Sequence, residues 1–342
     1  MKITKKQILW TIAIFSCTIA VITITVHQLF FDKTFQITED TYLYIDEDDN
    51  VDSVIVQLSE KGQPKIMRGF ELLAHWKDYK VKSGRYKVDP QDNIRMVFNR
   101  LRWGQQTPIR LVVPSVRTIP QLAQTLGKRL MIDSTTIATY LTDSSVCRKY
   151  GYEPHTIVSM MVPNTYEVYW NTSVEKFAQR MQKEHQNFWN EERMHKAELL
   201  GMSQIEISTL ASIVDEETIR NAEIPMVAGM YMNRLRFGMM LQADPTVKFA
   251  LQDFGLRRIY HKHLLIDSPY NTYKNKGLPP GPIRIASISG IDAVLNYTPS
   301  KYLYMCAKED FSGYHNFAVD FATHQANARK YQAALNSRGI RK

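Results

Sequence analysis

Leu210-Ala-Ser-Ile-Val-Asp-Glu-Glu-Thr218, continued by Asn233-Arg-Leu-Arg-Phe-Gly238 and Gln242-Ala-Asp-Pro-Thr246, reads as helix, turn, helix, turn, helix. Ser203 with Glu206 three places later is a capping-box signature. Ile207, Leu210, Ala211 and Val214 then recur at the i, i+3, i+4, i+7 spacing of one buried helical face. Three acids, Asp215, Glu216 and Glu217, therefore arrive at the end of a core helix. Placed on a wheel at about 100° per residue, Glu216 falls opposite the apolar stripe, Asp215 on one flank near Ala211, and Glu217 on the other flank, one turn beyond Val214. Glu217 is the candidate half-buried acid. Partial desolvation and the negative end of the helix dipole would both raise its pKa, and a carboxyl still protonated near neutrality can donate a proton to a leaving oxygen. Spacing alone also allows a solvated helix end. Glu216, on the outer face, is expected to tolerate change to Gln with little effect.

Downstream, Pro225 fits the first turn of a second helix with Val227, Met230, Tyr231 and Leu235 on its inner face and Gly238 as its C-cap. Asp244-Pro245 reads as N-cap and first helical residue of a third, which favours a structural role for Asp244. Upstream, Ser173 to Leu200 reads as one long amphipathic helix whose Phe177, Met181, Phe188 and Trp189 pack into a core.

The chain has 342 residues, 44% apolar and 23% charged, enough for two domains with real cores. After Lys2, Lys5 and Lys6, the stretch Ile8 to Val26 is free of charge, and its length of about 19 residues matches the ~20 needed to cross a bilayer. No small-x-small cleavage site follows it. With the lysines before the span and Asp32, Glu39 and Asp40 after it, the expected topology is N-terminus in the cytoplasm and the rest outside. The net charge of +9 suits an anionic partner, but zinc-finger, RRM and basic-arm signatures are missing and the topology argues against nucleic acid. Cys17 lies in the span; Cys147 and Cys306 could pair outside the membrane or stay free as buried thiols, and the default reading leaves them unpaired. Histidine and cysteine spacings fit no metal pattern, so no metal site is expected.

Between membrane and core helix, Thr41 to Ile45 reads as a strand, Val51 to Lys61 as a helix, and Lys82-Ser-Gly-Arg-Tyr-Lys-Val88 as a turn into a strand. Asp92 to Leu101 reads as a capped helix closed by Trp103-Gly104. Ile109 to Val113 is a strand, Thr118 to Leu126 a helix with Thr118 as cap, and Thr135 to Leu141 a short helix followed by a loop through Cys147. Near the end, Lys301 to Cys306 reads as a strand.

Ala211 to Thr218, Glu223, Val227-Ala228, Asn233-Arg-Leu235, Gly238-Met239 and Leu241 to Val247 together resemble the central signature of the MltG/YceG-like endolytic murein transglycosylases. Ser268-Pro-Tyr-Asn-Thr-Tyr273, Gly277-Leu-Pro-Pro-Gly-Pro-Ile283, His315-Asn-Phe317 and His324 follow in the same order. The family's catalytic acid, second Glu of a Glu-x-Glu pattern, carries over onto Glu217. The first position is Asp215 here, and Asn164 replaces the Asp of a segment that usually reads Pro-Asp-Thr-Tyr. The resemblance implies an α+β chain: residues 1–31 as tip and transmembrane helix, 32–155 as stalk and small LysM-like module, 156–342 as helix-rich catalytic domain. Glycan binding by the module is implied by likeness, with a plain spacer as its rival.

The resemblance also implies cleavage of the β-1,4 bond between N-acetylmuramic acid and N-acetylglucosamine within peptidoglycan strands, to leave 1,6-anhydro ends, by a mechanism that needs no cofactor. Cell-wall synthases (penicillin-binding proteins) are implied as neighbours in a bacterial inner membrane. Glu223, Asn233, Gln242, Asp244, Tyr270, Asn271, Tyr273 and His315 are the candidate substrate-binding residues, since amides and phenols both donate and accept to sugar hydroxyls and acetamido groups. His315 and His324 line the cleft by likeness or simply pack. Two rivals stay open: a muramidase that hydrolyses the same bond with Glu223 or Asp244 as second carboxylate, and a catalytically silent glycan-binding scaffold.

Overall fold

The computed structural model describes residues 4–256 and 258–339, which divide into two compact units: residues 1–110 with 167–172, and 111–166 with 173–342. Residues 111–155, assigned above to the first module, thus pack with the second unit. The crossings at 110/111 and 166/167 fall inside strands.

In the first unit, α1 (Lys5–Phe30) is long and apolar enough to cross a membrane. Its Thr4 cap and Gln7 form a capping box, and Thr11, Thr18, Thr23 and Thr25 each donate back to the carbonyl four residues earlier at 2.8–2.9 Å. Those bonds satisfy hydroxyls that lipid could not. Beyond it run β1 (Thr41–Ile45), α2 (Val51–Gly62), α3 (Arg68–Trp76), β2 (Gly84–Val88) and α4 (Ile94–Trp103). The two strands pair antiparallel, Thr41 opposite Val88 and Ile45 opposite Gly84. Strand alternation sends Leu43, Ile45, Tyr86 and Val88 inward against Val54, Leu58, Phe70 and Phe98, all essentially without exposure. Asn93, one residue beyond the expected start at Asp92, caps α4, and the left-handed Gly104 closes it as the sequence leads one to expect.

The second unit holds the larger part of β3 (Ile109–Val113) and of β4 (Asn164–Val168), with α5 (Ile119–Gly127), α6 (Ser134–Thr142), α7 (Ser144–Lys149), α8 (Val174–Phe188), α9 (Glu191–Leu200), α10 (Gln204–Glu217), α11 (Ile224–Arg236), α12 (Asp244–Leu251), α13 (His261–Leu264), α14 (Ile288–Leu295), β5 (Tyr304–Ala307), β6 (His315–Ala318) and α15 (Phe321–Ser337). Three expectations are corrected here. The stretch from Ser173 to Leu200 is two helices, because Asn190 caps a new one by accepting from the Arg193 amide at 3.0 Å. Cys147 sits in α7, which Asp143 caps, where a loop was expected. The late strand begins at Tyr304, three residues beyond its predicted start.

Helix α10 is the axis of this unit. The Ser203–Glu206 capping box starts it, and it packs against α9, α11, α12 and α14. Every residue from Ile207 to Val214 is buried, so the helix has no outer face over two turns. Two of its polar members are satisfied in place, Thr209 donating to the Ile205 carbonyl at 2.7 Å and Ser212 donating to the Thr209 carbonyl at 2.7 Å while accepting from the Ile283 amide at 3.0 Å; the buried Ser208 hydroxyl has no partner among the described residues. Each fully buried Leu, Ile or Val there contributes about 1.5–3 kcal/mol relative to exposure. Gly229 lets α11 approach the Tyr297-Thr298 segment so closely that a Cβ would meet the Thr298 carbonyl oxygen.

Candidate functional site

The three acids at the end of α10 take three different partners. Asp215 turns away from the cavity described below and braces Ser287, the N-cap of α14, accepting from its amide at 2.6 Å and its hydroxyl at 2.7 Å. Burial raises its pKa, and the two Ser287 donors oppose that rise. Gly290 leaves the room: a Cβ there would run into the Asp215 carboxylate. Asp, one methylene shorter than Glu, is thus the residue this site holds, which gives the departure at Asp215 a structural meaning.

Glu216 corrects the reading of it as an outer-face residue. Its side chain is 12% exposed and takes Arg117 through both oxygens at 3.0 and 2.7 Å and Arg284 at 2.9 Å. Arg284 also bonds the carbonyl and hydroxyl of Ser115, at 2.7 and 3.1 Å. One carboxylate therefore fastens α10 to the segments before α5 and α14. The wheel failed because it assumed one covered face, whereas this helix is covered all round.

Glu217 receives no cation. The Tyr231 hydroxyl on α11 donates to its Oε1 at 2.6 Å, and Oε2 has no protein partner among the described residues. Burial pushes the carboxyl up from 4.5 to about 7; the Tyr231 bond pulls the other way, nearby Asp244 adds to the rise, and His315 lowers it. Tyr231, itself buried beside Glu217, has its pKa raised well above the ordinary phenol value and so stays a donor. The helix ends at Glu217, where the chain turns extended at Thr218.

Glu217 opens onto a cavity of about 230 Å³ lined also by Met230, Tyr231, Arg234, Leu241, Gln242, Asp244, Tyr273, Met305, Cys306, Ala307 and His315. Asp244 is corrected from cap to wall: it is the first residue of α12, makes no side-chain cap bond, and accepts from the Tyr273 hydroxyl at 2.6 Å. Gln242, at φ +51°, accepts from Arg234 at 3.3 Å. Arg234, a buried member the sequence reading did not single out, also donates to the carbonyls of Leu303, Met240 and Leu241, fixing the cavity floor. The pairing of Ala307 opposite His315 in the β5–β6 ribbon completes the wall.

Of the eight expected ligand contacts, Gln242, Asp244, Tyr273 and His315 come together here. The other four are spent on the fold. Asn233 donates to the carbonyls of Ser300 and Tyr302, both at 2.9 Å, and Asn271, fully buried, to those of Leu264 and Ile266 at 2.9 and 2.8 Å. Tyr270 packs on Phe249 with ring centres 4.7 Å apart. Glu223 is buried behind His315, bonded to it and to Thr218. His324 stacks on Tyr304, and Asn164 accepts only from the next amide, Thr165, at 2.7 Å. The thiols of Cys17, Cys147 and Cys306 are free, and among the described residues no group of three or more His, Cys, Asp or Glu is placed to hold a metal.

The family model described as "YceG-like family" matches residues 43–330. The chain is similar to the endolytic murein transglycosylase of Bacillus subtilis, 35% identical over 182 residues that cover 53% of this chain and 44% of that protein. It is also similar to the endolytic murein transglycosylase of Streptococcus pneumoniae serotype 2, 27% identical over 295 residues, 77% of this chain and 53% of that one. The chain thus spans about half the length of these relatives. A crystal structure of a YceG-like protein from Listeria monocytogenes aligns with a TM-score of 0.57 at 26% identity, covering 85% of this chain and 99% of that one.

Proposed function

The chain belongs to the YceG-like family, and on that premise we propose that it is an endolytic lytic transglycosylase, a lyase that cuts the β-1,4 bond between N-acetylmuramic acid and N-acetylglucosamine inside peptidoglycan strands. The observation that carries the reading is Glu217: a half-buried carboxyl at a cavity wall, denied a cation, shifted to about 7 and held through one oxygen by Tyr231. Such a group is protonated often enough near neutrality to act as an acid and, once ionised, basic enough to take the proton back. Glu217 protonates the glycosidic oxygen as the C1–O bond breaks. The C6 hydroxyl of the muramic sugar closes onto C1 as a 1,6-anhydro ring, and its proton returns to Glu217. The Asp244 carboxylate at the same cavity opposes the positive charge that builds on the sugar ring.

The names of the Bacillus and pneumococcal relatives support this substrate class. The anchor reading places α1 in a bacterial inner membrane with the N-terminus inside and the catalytic unit outside, next to the synthases whose strands it would terminate. The strand, helix, helix, strand order and antiparallel β1–β2 pairing of the first unit support the LysM-like reading and with it a glycan-holding role. One observation favours the rival hydrolase: Asp244 supplies a second carboxylate at the same cavity. Mass spectrometry of products from uncrosslinked strands separates the two. Anhydro-muramic ends are expected; reducing ends, heavier by one water, would replace the lyase by a muramidase. Intact strands would leave a glycan-binding scaffold.

A further inference from the structure

Glu223, behind this cavity, has both carboxylate oxygens bonded, and none of the partners is Lys or Arg. Its Oε1 accepts from the His315 amide at 2.7 Å; its Oε2 lies 2.8 Å from His315 Nδ1 and accepts from the Thr218 hydroxyl at 3.2 Å. The two side chains are 6% and 16% exposed. An ionised carboxylate only accepts, so the Nδ1 of His315 carries a hydrogen, and in the neutral ring Nε2 is left as an acceptor. Nε2 has no protein partner among the described residues, and the ring lines the cavity that Glu217 opens onto. Thr218 follows Glu217 directly, so one buried carboxylate fastens both the end of α10 and the imidazole.

Around that cavity the other acceptors are at least partly engaged: Glu217 by Tyr231, Asp244 by Tyr273, Gln242 by Arg234. We propose that His315, oriented by Glu223, accepts the hydrogen bond of the muramic C6 hydroxyl through Nε2 and holds its oxygen toward C1. The assignment rests on the transglycosylase reading above. The proton balance is unchanged by it. Glu217 gives its proton to the leaving oxygen as C1–O breaks, the O6–C1 bond forms, and the hydroxyl proton ends on Glu217. His315 gains none over the cycle. Its effect is to let ring closure outrun capture of the cationic sugar by water, which a held nucleophile achieves through orientation.

The test measures kcat, KM and the proportion of anhydro to reducing ends on uncrosslinked strands for the wild type, His315→Gln and Glu223→Gln. In His315→Gln we expect kcat lower by roughly ten- to a hundredfold, KM within about threefold, and reducing ends appearing beside anhydro ends. Glu223→Gln, which leaves the imidazole present but less firmly held, should move the ratio the same way by less. A merely structural role would lower rates without changing which nucleophile captures the sugar. Entirely anhydro products from an active His315→Gln overturn the proposal; should that variant fail to fold, entirely anhydro products from Glu223→Gln do so. Reducing ends from the wild type would overturn the activity itself, a different failure visible before any variant is made.

Discussion

Asp92 in the first unit and Glu217 in the second are both carboxylates withdrawn from water, yet their surroundings differ in one respect. Asp92, 2% exposed, takes Arg100 through both oxygens at 2.6 and 3.1 Å and the Asp89 amide at 2.8 Å. Glu217 takes a phenol. Glu216, one residue before it on the same helix, takes two guanidinium groups. Where a cation matches the buried charge, the carboxylate ties segments together. Where only a neutral donor is supplied, burial is left uncompensated and the proton is held to higher pH. The contrast shows that the cavity acid is set by what was kept away from it.

Breaking that contrast at Glu217 has the largest expected effect. Glu217→Gln should lower strand cleavage by about a thousandfold or more, since it removes both the acid and the base. The same change should stabilise the fold above neutrality. A folded-state pKa of about 7 against 4.5 means that the native chain binds the extra proton between those values, so this group's contribution falls as pH rises through 7. Removing its charge at pH 8 should return roughly 2–3 kcal/mol, seen as a higher denaturant midpoint. Asp92→Asn goes the other way: Arg100 is left half-matched in the first unit, with a loss of about 3 kcal/mol in urea unfolding. The smallest of the three is Glu216→Gln, where the more exposed Arg117 retains water; about 1–2 kcal/mol should be lost, with slower cleavage as the end of α10 loosens. An unchanged midpoint there would restore the outer-face reading.

Local signals were legible. The Ser203–Glu206 box, the Thr118 cap, the Gly104 stop and the Leu210–Val214 spacing each act within four residues, and the structure honours them. Glu217 was readable as a half-buried acid from its place on the wheel. What sequence spacing could not supply was partners brought from far along the chain. Arg117 lies 99 residues from Glu216 and Arg284 lies 68 away; Tyr273 reaches Asp244 across 29. Amides posed a second difficulty. Asn233 and Asn271 have the chemistry of sugar ligands, but an amide serves buried carbonyls equally well, and nothing local tells the two uses apart. Asn190 ahead of Glu191-Glu192 was a readable cap that the apolar rhythm from Ser173 to Leu200 obscured.

The account turns on the protonation of Glu217, and the pH dependence of kcat/KM measures it most directly, with Tyr231→Phe as its companion. The acid must be protonated to work, so activity should fall as pH rises through about 7. Loss of the Tyr231 hydroxyl, whose bond favours the charged form, should carry that fall to higher pH. A fall centred near 4.5, the ordinary value for a glutamate, or a profile that Tyr231→Phe leaves in place, would contradict the claim that burial beside a neutral donor makes Glu217 the acid.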